Sequence, residues 1–174
     1  TITIKAGEIM YDVANKTGIT GDARQTGDNY EQVSYIKAAN DEESLNQIRR
    51  SIGGAFVSLL NELAEYLTSD EQGASNALQP AEDYVIELQM PMNWNEAANE
   101  SVANAMHNYI TNVAMGEWLN MTDKADGAEY FGFAAKNLAE LRTALNKRVR
   151  TKRPASGGLG IPAEPLFRSR DILL

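Results

Sequence analysis

The apolar residues Leu45, Ile48, Ile52, Phe56, Leu59, Leu63 and Tyr66 recur at steps of three or four. That is the spacing of one buried stripe on a helix. It predicts a long helix from Asn40 to about Leu67, the element around which the chain is expected to be organised. Asn40 is placed to cap it, with Glu43 three residues on, and Glu42 and Glu43 lie at the positive end of the helix dipole. About 27 residues make a rod of roughly 40 Å, which needs partners along its whole length. Gly53 and Gly54 interrupt it at a cost of roughly 1 kcal/mol each relative to alanine. A kink is one explanation. The stripe keeps its phase across them, so close approach of another backbone, from the same fold or a neighbouring subunit, is the favoured one.

Two further long helices follow from the same periodicity. One runs from about Asn95 to Asn120, capped by Asn93 or Asn95, with Val102, Met106, Tyr109, Ile110, Val113, Trp118 and Leu119 on its apolar face. The other runs from Thr122 or Asp123 to about Arg150, with the stripe Ala128, Phe131, Ala135, Leu138, Leu141, Leu145 and Val149. Asp123 and Asp126 in its first turn, and Arg148 and Arg150 in its last, complement the dipole. The short link at Met121-Thr122 makes these two helices antiparallel neighbours. A short helix over residues 6–17 carries Ile9, Met10 and Val13 and is expected to stop at Gly18. Gly18 to Asn29 reads as a loop, and Tyr30, Val33 and Ile36 or Lys37 add a turn or two of helix. The loop glycines lack the Gly-Lys-Ser/Thr and the preceding strand of a phosphate-binding loop.

Between the first two long helices the period changes. Ser69 to Pro80 is small and polar, a loop. In residues 84–90, Tyr84, Ile86, Leu88 and Met90 alternate with Val85, Glu87 and Gln89, the period of a strand. A lone strand needs a ladder partner: Ile2-Thr3-Ile4, the C-terminal tail or another subunit. The expected fold is therefore mainly α: an antiparallel bundle of three long helices with a short N-terminal helix, one short β segment at about 84–90, and an extended C-terminal arm. The bundle domain spans 1–153 and the arm 154–174. Ala155 to Gly160 form a flexible joint, and Pro162 and Pro165 extend the chain beyond it. Leu166, Phe167, Ile172, Leu173 and Leu174 are too apolar for a tail that stays in water.

Composition narrows the classes. The hydrophobic share of 43% and charged share of 23% are those of a globular protein. The absence of cysteine excludes disulfides, thiolate metal sites and a cysteine nucleophile. No apolar run approaches the ~18 residues of a membrane helix, and Thr1 to Lys5 lack the regions of a signal peptide. The sequons at Asn99 and Asn120 fall inside helical patterns and are read as chance. The net charge of −8 is unevenly spread: residues 1–141 hold 22 acidic and 8 basic side chains, a net of −14, and residues 142–174 hold 2 acidic and 8 basic, a net of +6. An acidic body with a basic end suits contact with copies of itself or with an acidic partner.

Candidate chemistry is sparse. His107 has no His or carboxylate at i±3 or i±4, so a solvated or interface histidine outweighs a metal ligand. Glu96 and Glu100 share a helix face and read as a solvated acidic face. One histidine without a neighbouring motif makes no catalytic triad. Trp94 and Trp118 bracket the second long helix as core anchors. Arg142, Lys147, Arg148, Arg150, Lys152 and Arg153 place six of the sixteen basic residues in twelve positions. Nucleic-acid recognition is one reading, but the acidic body repels phosphates and no aromatic residues interleave the charges. A subunit contact or a solvated helix end fits better. The residues expected to bind a partner are Lys147, Arg148, Arg150, Lys152, Arg153, Leu166, Phe167, Ile172, Leu173 and Leu174. No catalytic residue, cofactor or metal is expected.

The start Asn40-Asp41-Glu42-Glu43-Ser44-Leu45 of the long helix, and the run from Leu145 through Arg153-Pro154 into the tail, resemble the helical head–tail connector (adaptor or neck) proteins of tailed bacteriophages. The likeness is one of plan across most of the chain. It implies a structural virion protein without enzymatic activity, assembled in the host cytoplasm into a closed ring of about twelve copies. It also implies contacts to a portal protein and an adjacent neck or tail protein, DNA passing without specific recognition, and no membrane. The alternative class is a small helical regulatory or assembly-chaperone protein, with a helical enzyme as a third.

Overall fold

The computed structural model describes residues 1–38, 41–68, 83–122 and 124–150. The fold is mainly helical, as the periodicities predict. β1 (Ile2–Lys5) leads into α1 (Ala6–Arg24), α2 (Tyr30–Ile36) and α3 (Glu42–Glu62); β2 (Asp83–Ile86) precedes a 3-10 turn at Glu96–Ala98, α4 (Asn99–Thr122) and α5 (Lys124–Leu145). The loop expected at 69–80 lies outside the described residues.

The centre of the fold is α4, not α3. It packs against α1, α2, α3, α5 and β1. Val102, Met106, Ile110, Ala114, Met115 and Leu119 on it are all closed to solvent. Its buried positions extend past one stripe, as a helix surrounded by neighbours requires. α3 contributes Ile48, Ile52, Leu59 and, just past its end, Leu63 to the same core. Its cap is Asp41, whose carboxylate accepts a hydrogen bond from the Ser44 amide at 2.6 Å. Hydrogen bonding from the Ser44 side chain first, and from this amide second, holds the Asp41 carboxyl below its ordinary pKa. Asn40, expected to cap, lies outside the described residues. α3 ends at Glu62, and the chain turns before Leu67 pairs with Leu88.

α1 is longer than expected. It runs through Gly18 and Gly21 to Arg24, where a loop is expected from residue 18. Two local features carry it on. Buried Thr17 donates to the Val13 carbonyl at 2.8 Å and accepts from the Ala38 amide at 3.1 Å. Gly21 lies under α2 and its exit: a Cβ there would come 2.9 Å from the Lys37 side chain. Tertiary contact outweighs the low helix propensity of glycine. Gly27, at φ +61°, makes the turn instead.

The two strands pair antiparallel, with Ile2 opposite Ile86 and Lys5 opposite Asp83. The N-terminal segment is therefore the ladder partner of β2. Tyr84, Ile86, Leu88 and Met90 face the core, and Val85, Glu87 and Gln89 face solvent. Regular strand pairing stops at Ile86, and Leu67 continues it as a single bridge.

α4 and α5 are antiparallel neighbours. They approach closely at Gly116 and Gly127: a Cβ at Gly127 would lie 2.8 Å from the Asn120 backbone nitrogen, and one at Gly116 would lie 3.0 Å from the Phe131 ring. The backbone approach expected at Gly53 and Gly54 occurs here within the chain. A Cβ at Gly53 would meet only the Tyr84 hydroxyl, at 3.8 Å, and one at Gly54 would meet nothing within 4 Å. The stripe of α5 also differs from the expected one. Gly127, Ala134, Leu141, Ala144 and Leu145 are buried, whereas Ala128, Phe131 and Ala135 are exposed. No helix among the described residues is long and apolar enough to cross a membrane.

Candidate functional site

The candidate site is the corner where the chain leaves α5. α5 is expected to run to Arg150, but it ends at Leu145. Asn146 turns its side-chain amide back to the Arg142 carbonyl at 2.9 Å, and residues 147–149 become extended. This segment pairs with residues 93–95 through a bridge of Trp94 with Arg148. The Asn95 amide donates to the Lys147 carbonyl at 3.1 Å, and the Val149 amide donates to the Asn93 carbonyl at 2.8 Å. Trp94 Nε1 donates to the Ala144 carbonyl at 3.3 Å. Asn95 also caps the 3-10 turn, accepting from the Ala97 amide. One short stretch thus starts α4 and anchors the end of α5.

The basic residues of this corner divide by role. Arg148 Nη1 donates to the Leu145 carbonyl at 2.9 Å, so its charge meets the negative end of the α5 dipole. It follows the last helical turn; it does not lie in it. Arg142 pairs with Glu62 and ties α5 to α3. Lys147 and Arg150 form no ion pair among the described residues, and both are exposed. Val149, expected in the core, is 56% exposed. Lys152, Arg153, Leu166, Phe167, Ile172, Leu173 and Leu174 lie outside the described residues.

A groove lies beside this corner, between residues 95–101 and the second half of α5. Its volume is about 570 Å³, and Asn95, Ala97, Ala98, Ser101, Lys136, Ala139, Glu140, Thr143, Ala144 and Lys147 line it. Sequence reasoning does not single it out. Its only trace there is the placing of alanines at 97, 98, 139 and 144, which leaves space without making a motif.

The other candidates resolve into structural contacts. His107 Nε2 lies 2.9 Å from Asp12 Oδ2, joining α4 to α1 in a half-buried pair. Among the described residues no three His, Asp or Glu side chains are grouped to hold a metal. Glu96 and Glu100 are both exposed. Trp118 packs on the core and donates to the Ile36 carbonyl at 2.9 Å. Burial pushes the Tyr130 hydroxyl pKa up, against a hydrogen bond with Thr20 and with the help of the Asp126 and Glu129 charges.

Comparison with family models, curated proteins and solved structures finds no match to this chain.

Proposed function

We propose that this chain is a structural, non-enzymatic virion protein of a tailed phage, a head–tail connector whose copies close a ring between portal and tail. The observation that carries the reading is the anchored root at Trp94 and Arg148. It gives the chain beyond Arg150 a fixed point of departure from a basic corner, as an interaction arm needs. The arm would engage further copies, the portal protein or an adjacent neck protein. The acidic body and basic end of one protomer suit head-to-tail contact in a closed ring. A channel lined by acidic bodies would repel DNA and let it pass without being read. His107, the sole histidine, is engaged with Asp12, which favours a structural role for it over a catalytic one.

The test is the mass of the purified full chain in solution, measured alone and with a portal protein over a range of salt. A connector gives a discrete oligomer, alone or on the portal, that loosens as salt screens the basic corner. A chain that stays monomeric in both settings contradicts the proposal and favours a free regulatory protein.

A further inference from the structure

We propose that the groove between residues 95–101 and α5 seats the segment 166–174 of a second copy of this chain. The inference rests on the reading of residues 154–174 as an interaction arm, and it names the surface that receives it.

Shape is the first support. Ala97, Ala98, Ala139 and Ala144 line the groove, and its volume of about 570 Å³ falls within the range of binding pockets. Such a trough accepts large apolar side chains from outside. Leu166, Phe167, Ile172, Leu173 and Leu174 supply five within nine residues.

Position and chain length are the second. Lys147 lines the groove and Val149 is hydrogen-bonded to Asn93, so the chain beyond Arg150 starts at the rim. Residues 151–165 then separate Arg150 from Leu166, a link that reaches roughly 50 Å when extended. A return to the protomer's own groove needs only a few of those residues. Pro154, Pro162 and Pro165 favour extended backbone over reversal. A link of that length suits a span to a neighbour.

Charge is the third. Residues 1–150 hold 22 acidic and 12 basic side chains, and residues 151–174 hold 2 acidic and 4 basic. Glu140 lines the groove and suits Arg168 or Arg170, and Lys136 and Lys147, which also line it, suit Asp171.

The natural chain has no cysteine, so disulfide trapping reads the contact directly. Full-length Ala139→Cys and full-length Phe167→Cys are mixed and oxidised. Val57→Cys, at an exposed position of α3 that does not line the groove, is mixed with Phe167→Cys to set the background. The expected result is a shift of the denatured band from one chain to two in the Ala139 mixture, above that background. A doubly substituted chain that cross-links only within itself overturns the second copy as occupant. No cross-link in a mixture that keeps its oligomeric mass overturns the groove and leaves the arm reading standing. No cross-link in a mixture of monomers overturns the groove as a seat for a second copy, and the mass measured with the portal protein then decides the arm reading.

Discussion

Trp94 and Arg148 stand opposite each other in an antiparallel bridge, and the indole also donates to the Ala144 carbonyl. The pair fastens the last described residues to the start of α4. Trp94→Phe keeps most of the ring contact and removes the donor, so unfolding in urea should show a loss of about 1 kcal/mol. Trp94→Ala removes the packing too. Its loss should be about 2–3 kcal/mol, less than for a fully buried tryptophan. A Trp94→Ala chain as stable as the natural one would show that the bridge anchors nothing.

Glycines at different places in the helices should respond in opposite directions. In Gly127→Ala the new Cβ meets the Asn120 backbone at 2.8 Å, and α4 and α5 must separate. Thermal unfolding should show a loss of about 1–3 kcal/mol. Gly54→Ala adds a Cβ with nothing within 4 Å, and should gain about 1 kcal/mol from helix propensity. Equal effects at the two positions would contradict the closeness of α4 and α5.

These glycines also show where the sequence stops being readable. The strand is legible because Tyr84, Ile86, Leu88 and Met90 alternate with Val85, Glu87 and Gln89, and one face is buried. Much of the buried face of α4 is legible in Val102, Met106, Ile110 and Leu119, but Met115, equally closed to solvent, lies off the expected stripe because neighbours surround the helix. The first half of α5 is ambiguous: Tyr130, Phe131 and Phe133 offer large apolar groups on several faces. The close approach at Gly116 and Gly127 decides it. Helices that near leave room between them for Ala134 and push the Phe131 ring to the edge, where it is 40% exposed. The length of α1 is hidden for a similar reason, since Gly18 and Gly21 signal a stop that burial against α2 overrides. The basic stretch at 142–153 is plain in the composition. Its departure from helix at Asn146 depends on residues 93–95, fifty positions away in the chain. The groove is defined by small side chains, which carry no periodic signal.

Thr111 is fully buried on α4, and its hydroxyl has no hydrogen-bond partner among the described residues. A buried polar atom left unpaired costs about 1–3 kcal/mol. Thr111→Val keeps the shape and removes the hydroxyl, so it should stabilise the fold by about 1 kcal/mol. A fall in the urea midpoint on this change would mean that the hydroxyl is paired.

Asp41 sets part of the acid stability. Its carboxyl is held below its ordinary pKa of 3.8 by hydrogen bonds from the Ser44 side chain and, second, the Ser44 amide. The sign follows from linkage: the folded state binds this proton less readily than the unfolded one, so the contribution is present above the ordinary value and lost as pH falls below it. Asp41→Asn keeps a capping oxygen and has no proton to bind there. Acid titration of the two chains should therefore show a shallower loss of stability below about pH 4 for the variant. Identical acid profiles would contradict the cap.

The proposed connector requires a body that folds without the arm and an arm that joins bodies together. The buried core cluster lies within residues 4–145, so a chain ending at Arg153 should keep its helical circular dichroism. Sedimentation of that chain beside the full-length protein, at equal concentration and low salt, tests the claim most directly. The predicted result is a discrete oligomer for the full chain and a single folded protomer for the shortened one. A shortened chain that sediments as the same oligomer, or that loses its helical signal, contradicts the account.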